Sequence, residues 1–417
     1  MAGRVQLETS GPQDKFFTLD PDYTHFLQSF KKHANYSNEY VYMKPENEAD
    51  FGKKVKFVIP QNQGDLLKTL SLRLKLPILN AVGNIGYIES IGHALIEYAD
   101  IIIGGKTIQR LTSDYLQIYS EHNFTQTKQK ALEKLIGKYS FRTSAVPVSN
   151  PSIISYLGNA SEERDCFIDL PFYFYRNPKL AIPLCAITKQ EIEIEVKLRD
   201  WRGLLVDSTG DVNVEPLEIP SIIDFQLCSE VVFVDSHERA KIKTSKRDYI
   251  ITQIQQNTFD IDQSATTGKF KLSFINPVKE LYFVIQRQGV TPFDYDNTEI
   301  SYNNKLVLYE NLDYLTLSLD GEDIITEETG TVTFLKAVQG AIHHSKTQLI
   351  RRFYSYSFAF EPEKWYPTGQ VNFSIIKEQI INLSLIPSSS SRQFRVYALS
   401  YNILRVNEGI AKTLFNS

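Results

Sequence analysis

The residues of this chain that could do chemistry are few, and their spacing argues against it. Gly104-Gly105-Lys106-Thr107 has the look of the end of a phosphate-binding loop, in which glycine N–H groups cradle phosphates and the lysine reaches them. That loop needs a glycine five residues before Gly105, and position 100 is Asp. The KTIQR that follows reads as a strand, so no helix N-terminus would face a phosphate. A Gly-Gly pair between apolar strands is instead a tight hairpin that needs positive φ. His343-His344 is the one adjacent histidine pair, and no cysteine or carboxylate stands near it at zinc-ligand spacing. A loop or interface position is expected there. His25, His33, His93, His122 and His237 are scattered. Asp260 and Asp262 share a strand face, where a solvated surface is expected before acid–base chemistry. GxSxG, HExxH and CxxC do not occur. No catalytic, cofactor-binding or metal-binding residue is expected, and no cofactor.

Three further features have bland readings. Cys166, Cys185 and Cys228 are an odd number and read as reduced, mostly buried thiols of a cytosolic product. Between His237 and Arg247 lie Arg239, Lys241, Lys243 and Lys246. These read as a solvated surface, or as a charged contact with a neighbouring subunit. Asn35, Asn123, Asn159, Asn372 and Asn382 head Asn-X-Ser/Thr sequences. The polar start MAGRVQLETSGPQDK lacks a signal-peptide core, so these are expected to be chance occurrences.

The elements that carry these residues are mostly strands. In the segment from Leu170 to Leu198, Ile192, Ile194, Val196 and Leu198 alternate with Glu191, Glu193, Glu195 and Lys197. A period of two puts one face in a core and the other in water. Leu70, Leu72, Leu74 and Leu76 alternate in the same way before Pro77. The main helical signal lies between 113 and 137, with Ser113 and Thr125 or Thr127 as caps and Gly137 as the terminator. A short helix fits 236–242. Strands are expected at 230–235, 249–255, 270–275, 280–286, 314–319, 331–335, 353–360, 371–376, 380–385 and 393–403. Many short strands between turns favour a sandwich or barrel. Residues 203–220 combine Gly, Pro and acidic residues, and read as a linker. WYPTG at 365–369 reads as a turn, with Trp365 anchoring it or packing at a subunit contact. The halves echo each other: Pro60 and Pro277 precede long strands, Gly104 and Gly321 close others, and both pairs lie 217 apart.

Bulk composition bounds the function. The chain has 417 residues, 42% hydrophobic and 23% charged, which is globular and long enough for two domains. Its 25 Phe and 23 Tyr favour β structure. The 45 basic and 49 acidic residues nearly cancel, so direct nucleic-acid binding is not expected. No apolar run is long enough to span a membrane.

Six segments, in order, resemble the major capsid proteins of nucleocytoplasmic large DNA viruses of the iridovirus and phycodnavirus type. They are IESIGHALIEYADIIIGGKTIQRLTSDYLQIYSE at 88–121, LPFYFYRNPKLAIPLCAITKQEIEIEVKL at 170–198, and LCSEVVFVDSHERAKI with RDYIITQIQ at 227–255. NPVKELYFVIQ at 276–286, FYSYSFAFEPEKWYPTGQVNFSIIKEQIINLSL at 353–385 and YNILRVNEGIAKTLFNS at 401–417 complete the set. The family often has Ser-Gly where this chain has Thr368-Gly369, and Arg where it has Ile375. Residues 138–164 and 292–312 match nothing in the pattern.

The resemblance implies an all-β fold of two tandem eight-stranded antiparallel jelly rolls with short helices in loops. It implies a structural, non-enzymatic protein that forms homotrimers of pseudo-hexagonal outline tiling an icosahedral shell. The expected division is an arm at 1–24, a first jelly roll at 25–205, a linker at 206–220, and a second jelly roll with a C-terminal tail at 221–417. The expected partners are further copies of itself in the trimer and lattice, minor capsid proteins and inner membrane components. The expected location is the virion capsid, assembled in the host cytoplasm. A related scaffold protein that shapes immature particles is the rival reading. A carbohydrate-active sandwich would want an acid pair or aromatic platform that the sequence does not offer.

Overall fold

The computed structural model describes residues 2–27, 30–79, 85–138, 162–207, 215–288, 298–300, 306–308, 311–347, 352–388 and 390–415. The chain divides into two units, Met1–Tyr36 and Ser37–Ser417. The first contains two short helices, Ala2–Glu8 and Lys15–Thr18, and exposes Phe16, Phe17, Phe26 and Phe30.

The second unit is built from strands. In chain order they begin with β1 (Tyr36–Met43), β2 (Lys54–Ile59), β3 (Leu66–Leu76), β4 (Ile85–Tyr87), β5 (Ile96–Ile103) and β6 (Lys106–Thr112). Then come β7 (Arg164–Asp169), β8 (Ile192–Leu198), β9 (Leu205–Asp207) and β10 (Asp224–Val234). The remainder are β11 (Arg247–Ile261), β12 (Thr267–Lys271), β13 (Pro277–Arg287), β14 (Thr298–Ile300), β15 (Leu306–Leu308) and β16 (Leu312–Leu319). They are followed by β17 (Glu322–Ile325), β18 (Phe353–Ser357), β19 (Val371–Asn372), β20 (Gln379–Leu385), β21 (Arg392–Asn407) and β22 (Ile410–Thr413).

Four sheets of four principal strands result. The first sandwich has the orders β1-β10-β3-β7 and β2-β8-β5-β6, and the second has β11-β21-β13-β18 and β12-β20-β16-β17. Counted within each sandwich, the eight strands fall into the same orders, 1-8-3-6 and 2-7-4-5. The sequence echo has a structural counterpart. The Gly104-Gly105 turn joins β5 to β6, and Asp320-Gly321 joins the equivalent β16 to β17. Gly104 and Gly105 take φ of 58° and 78°, as the hairpin reading requires.

Alternation explains most of the burial. β8 is buried at Ile192, Ile194, Val196 and Leu198 and half-exposed between them. β13 breaks the rule, because every residue from Val278 to Gln286 is buried. Leu281, Phe283 and Ile285 enter the core of the second sandwich, while Tyr282 and Val284 join the core that runs from the first. The same is true of β21, where Val396 and Ala398 face one core and Tyr397 and Leu399 the other. The sheet β11-β21-β13-β18 therefore lies between two apolar layers and welds the sandwiches together.

Three sequence expectations change. The expected division puts 224–234 in the second jelly roll, yet β10 pairs antiparallel with β3 from Asp224↔Lys75 to Val232↔Leu66. The eighth strand of a jelly roll closes beside its first and third, so the chain returns to the first sandwich after residues 206–220 instead of leaving it there. It departs at the helix Ser236–Thr244, which Asp235 caps through the Glu238 N–H. Second, 331–335 is not a strand. Thr331 bridges Tyr314 once, after which the chain turns into a helix. β17 takes that edge of β16 only from Leu317 to Leu319, and Thr331 meets the rest of it at a single residue. Third, the two helical pieces expected between 113 and 137 form as Ser113–Asn123 and Gln126–Leu135, but the first cap is Thr112 in place of Ser113.

Candidate assembly surfaces and the polar junction

The helix Ser113–Asn123 follows β6 and presses onto β13 and β21 of the other sandwich. Asp114, in its first turn, receives Nη1 of Arg395 at 2.8 Å and the hydroxyl of Tyr397. All three groups are buried or nearly so. Burial of Arg395 would weaken its charge, but Asp114 outweighs this and holds the guanidinium's pKa above its usual value. At the other end of the helix, Glu121 meets Lys346 at 3.1 Å and also Lys138.

His344 joins this seam from the second sandwich. Its Nε2 lies 2.6 Å from Glu280 and its Nδ1 3.7 Å from Glu363, and its ring stands 4.5 Å from that of His122. Burial alone would strip the His344 proton, but the two carboxylates outweigh it and lift the pKa to about 9. Burial lowers His122 well below the ordinary value, and the charge on His344 adds to this. Lys279, wholly buried beside Glu280, donates to the Pro362 carbonyl at 2.8 Å, and burial lowers it to about 8.

A histidine whose folded pKa is raised adds stability that is complete below its unfolded value, about 6.5, and is lost as pH rises through the folded value. His344→Gln is therefore expected to lower the melting temperature most below pH 6.5, with the gap to the parent narrowing towards pH 9. A gap that stays constant from pH 6 to 9 would show that His344 is not charged in the fold.

Several other ties cross the junction. Gln253 donates to the Ile108 carbonyl at 2.8 Å, Ala411 N–H to Gln190 at 2.7 Å, and Lys106 to Thr413 at 2.8 Å. Arg239, from the basic segment, grips Asp65 with two bonds of 2.7 and 2.8 Å. Part of that cationic run is thus spent inside the chain.

The outward groups that could meet another subunit are large exposed apolar side chains. On the second sandwich Phe360 is 83% exposed, Ile375 74% and Ile342 66%. Leu217, Ile219 and Ile223 stand exposed before β10, and Tyr36, Tyr40 and Tyr42 along the edge strand β1. Trp365 is 43% exposed, edge-on to Tyr366, with Lys179 of the first sandwich 5.2 Å over its ring. It is a rim residue and not a core anchor. Trp365→Ala should cost the isolated subunit about 1 kcal/mol or less in thermal unfolding. A loss near 3 kcal/mol would show that the ring is buried in solution.

The sequence candidates for chemistry do not converge. Asp260 is exposed and accepts amides from Gln288 and Gln393. Cys166, Cys185 and Cys228 are buried free thiols. His343 meets the Phe360 carbonyl at 3.0 Å. Asn382 bonds Thr316 across two strands, Asn123 bonds the Tyr119 carbonyl, and Asn159 lies outside the described residues. Among the described residues no group of three or more His, Cys, Asp or Glu is arranged to hold a metal ion. Nor, among them, is any helix long and apolar enough to cross a membrane. Sequence reading missed Glu280, Glu363, Asp114 and Arg395. The one available signal was the unbroken apolar run of β13, which marks a strand covered on both faces.

Comparison with known proteins agrees with this architecture. The model "Major capsid protein N-terminus" matches residues 24–235, and "Large eukaryotic DNA virus major capsid protein" matches 238–412. The step between the two spans falls at the start of the helix Ser236–Thr244. The major capsid protein of Pyramimonas orientalis virus is 26% identical over 100% of this chain and 99% of its own length. That of Paramecium bursaria Chlorella virus 1 is 24% identical over 98% of both. Among solved structures, the PBCV-1 virus capsid model superposes with a TM-score of 0.79 at 18% identity, covering 94% of this chain and 100% of that one. The Faustovirus major capsid protein gives 0.73 at 14% identity, over 97% and 96%.

Proposed function

The chain belongs to the family of large eukaryotic DNA virus major capsid proteins, structural and non-enzymatic, and on that premise we propose how it builds an icosahedral shell. Three copies close into a ring. Each contributes two sandwiches of the same strand order, so a threefold object presents six similar lobes and fills a sixfold lattice site. The single observation that carries this reading is that correspondence of strand order, with the sheet between the sandwiches buried on both faces. The two lobes are thereby fixed within one subunit. Cyclic closure through unlike flanks then pairs one subunit's first sandwich with the next subunit's second. The exposed apolar groups around Phe360 and before β10 supply the kind of surface that permanent interfaces bury.

The domain division that fits this reading ends the first sandwich at β10. The N-terminal arm, with Phe16, Phe17 and Phe26 exposed, is suited to contact minor capsid proteins or inner membrane components on the inner side of a shell put together in the host cytoplasm. Negative-stain images of the purified protein test the reading. Particles of threefold symmetry with a hexagonal outline are expected, and a field of single two-lobed particles would reject it. Proteomics of mature virions separates shell from scaffold, since a shell protein is the most abundant species there.

A further inference from the structure

The junction between the sandwiches opens on one side into a cleft of about 510 Å³. That volume is within the range of ligand sites and larger than packing defects leave. Four cations line it: Lys128 and Arg176 from the first sandwich, Lys279 and Lys364 from the second. The two carboxylates in its wall, Glu280 and Glu363, already face His344. The wall thus has an excess of positive charge.

One polar atom of the wall is unspent, and it is a donor. Asn177 Oδ1 accepts from the Lys179 N–H, and its Nδ2 is buried with no hydrogen-bond partner. His344 Nδ1 is turned to Glu363 at 3.7 Å. Buried donors without acceptors are costly and uncommon. Arg176 adds a conformational signal. It holds φ of +62°, which a non-glycine residue adopts at a cost, and its guanidinium stands 4.3 Å over Phe124 and 5.0 Å over Tyr175. The backbone is bent so that this cation lies along the cleft edge. Aromatic groups, Tyr119, Tyr175 and Trp365, fill the wall between the cations.

We propose that this cleft is a binding site for a short acidic peptide segment, whose carboxylates meet Arg176, Lys364 and Lys128 while its backbone lies on the aromatic wall. The cations are contributed by both sandwiches with aromatic surface between them. That suits carboxylates spaced along a chain better than a single compact anion, which would need donors converging on one point. The site lies within one subunit and goes beyond the assembly reading.

The test is isothermal titration of the full-length protein with tetraglutamate, with tetraglutamine and inorganic phosphate as separate arms. Saturable binding of tetraglutamate alone is expected, weakening with salt. The double variant R176Q/K364Q changes two exposed side chains and should lower affinity about tenfold or more, the loss of two charge-assisted contacts. K128Q, at the other rim, should weaken it in the same direction with an unchanged melting temperature. No saturable heat would overturn the proposal. So would equal affinity in R176Q/K364Q, equal binding of tetraglutamine, or phosphate binding as tightly as the peptide.

Discussion

Asp114→Ala is expected to destabilise the protein by about 3–5 kcal/mol, because it leaves the Arg395 guanidinium buried without its counter-charge. The Tyr397 hydroxyl loses its acceptor at the same time. The loss falls on the contact between the helix Ser113–Asn123 and β21, so the sandwiches should loosen as well as unfold more readily. Urea unfolding of the variant measures the effect. Replacing both partners by apolar residues, D114L/R395M, should recover much of the loss, since an apolar pair removes the desolvation cost along with the attraction. A D114A loss under 1 kcal/mol would show that the pair is hydrated in solution and does not hold the junction.

Gly330→Ala should be as damaging for a different reason. A Cβ there would lie 1.7 Å from the Leu315 carbonyl oxygen and 2.9 Å from that of Thr326. Both are backbone atoms, and both are fixed: Gly330 N–H donates to Thr326 at 2.8 Å, and Leu315 N–H to Gly330 at 3.1 Å. No rotamer change can relieve the overlap, so β16 must shift in the core of the second sandwich. A cost on the order of 3 kcal/mol or more is expected. Gly105→Ala is the control. Nothing stands near its Cβ, and only the positive φ of 78° is penalised, at about 1 kcal/mol. Thermal unfolding of the pair should separate them clearly, and equal losses would refute the backbone clash.

Strands with one wet face were legible in the sequence because their period is visible. The glutamates of β8 and the leucines of β3 alternate as the structure has them. The Gly-Gly hairpin and the helix stop at Gly137 were legible because positive φ leaves a residue-type signature. The junction was not. Asp114 and Arg395 lie 281 positions apart, and no local pattern links them. β13 advertised its double burial through ELYFVI, but what covers the second face is decided by another sandwich. The boundary failed for a related reason. Gly and Pro around 203–220 mark a loop, and a loop before the last strand of a sandwich looks the same as a loop between sandwiches. Only the pairing of β10 with β3 tells them apart.

The measurement that bears most directly on the central claim is the mass of the purified full-length protein by static light scattering at micromolar concentration. The account predicts a single species of three times 47.8 kDa, unchanged on dilution. A stable species of 47.8 kDa would contradict it.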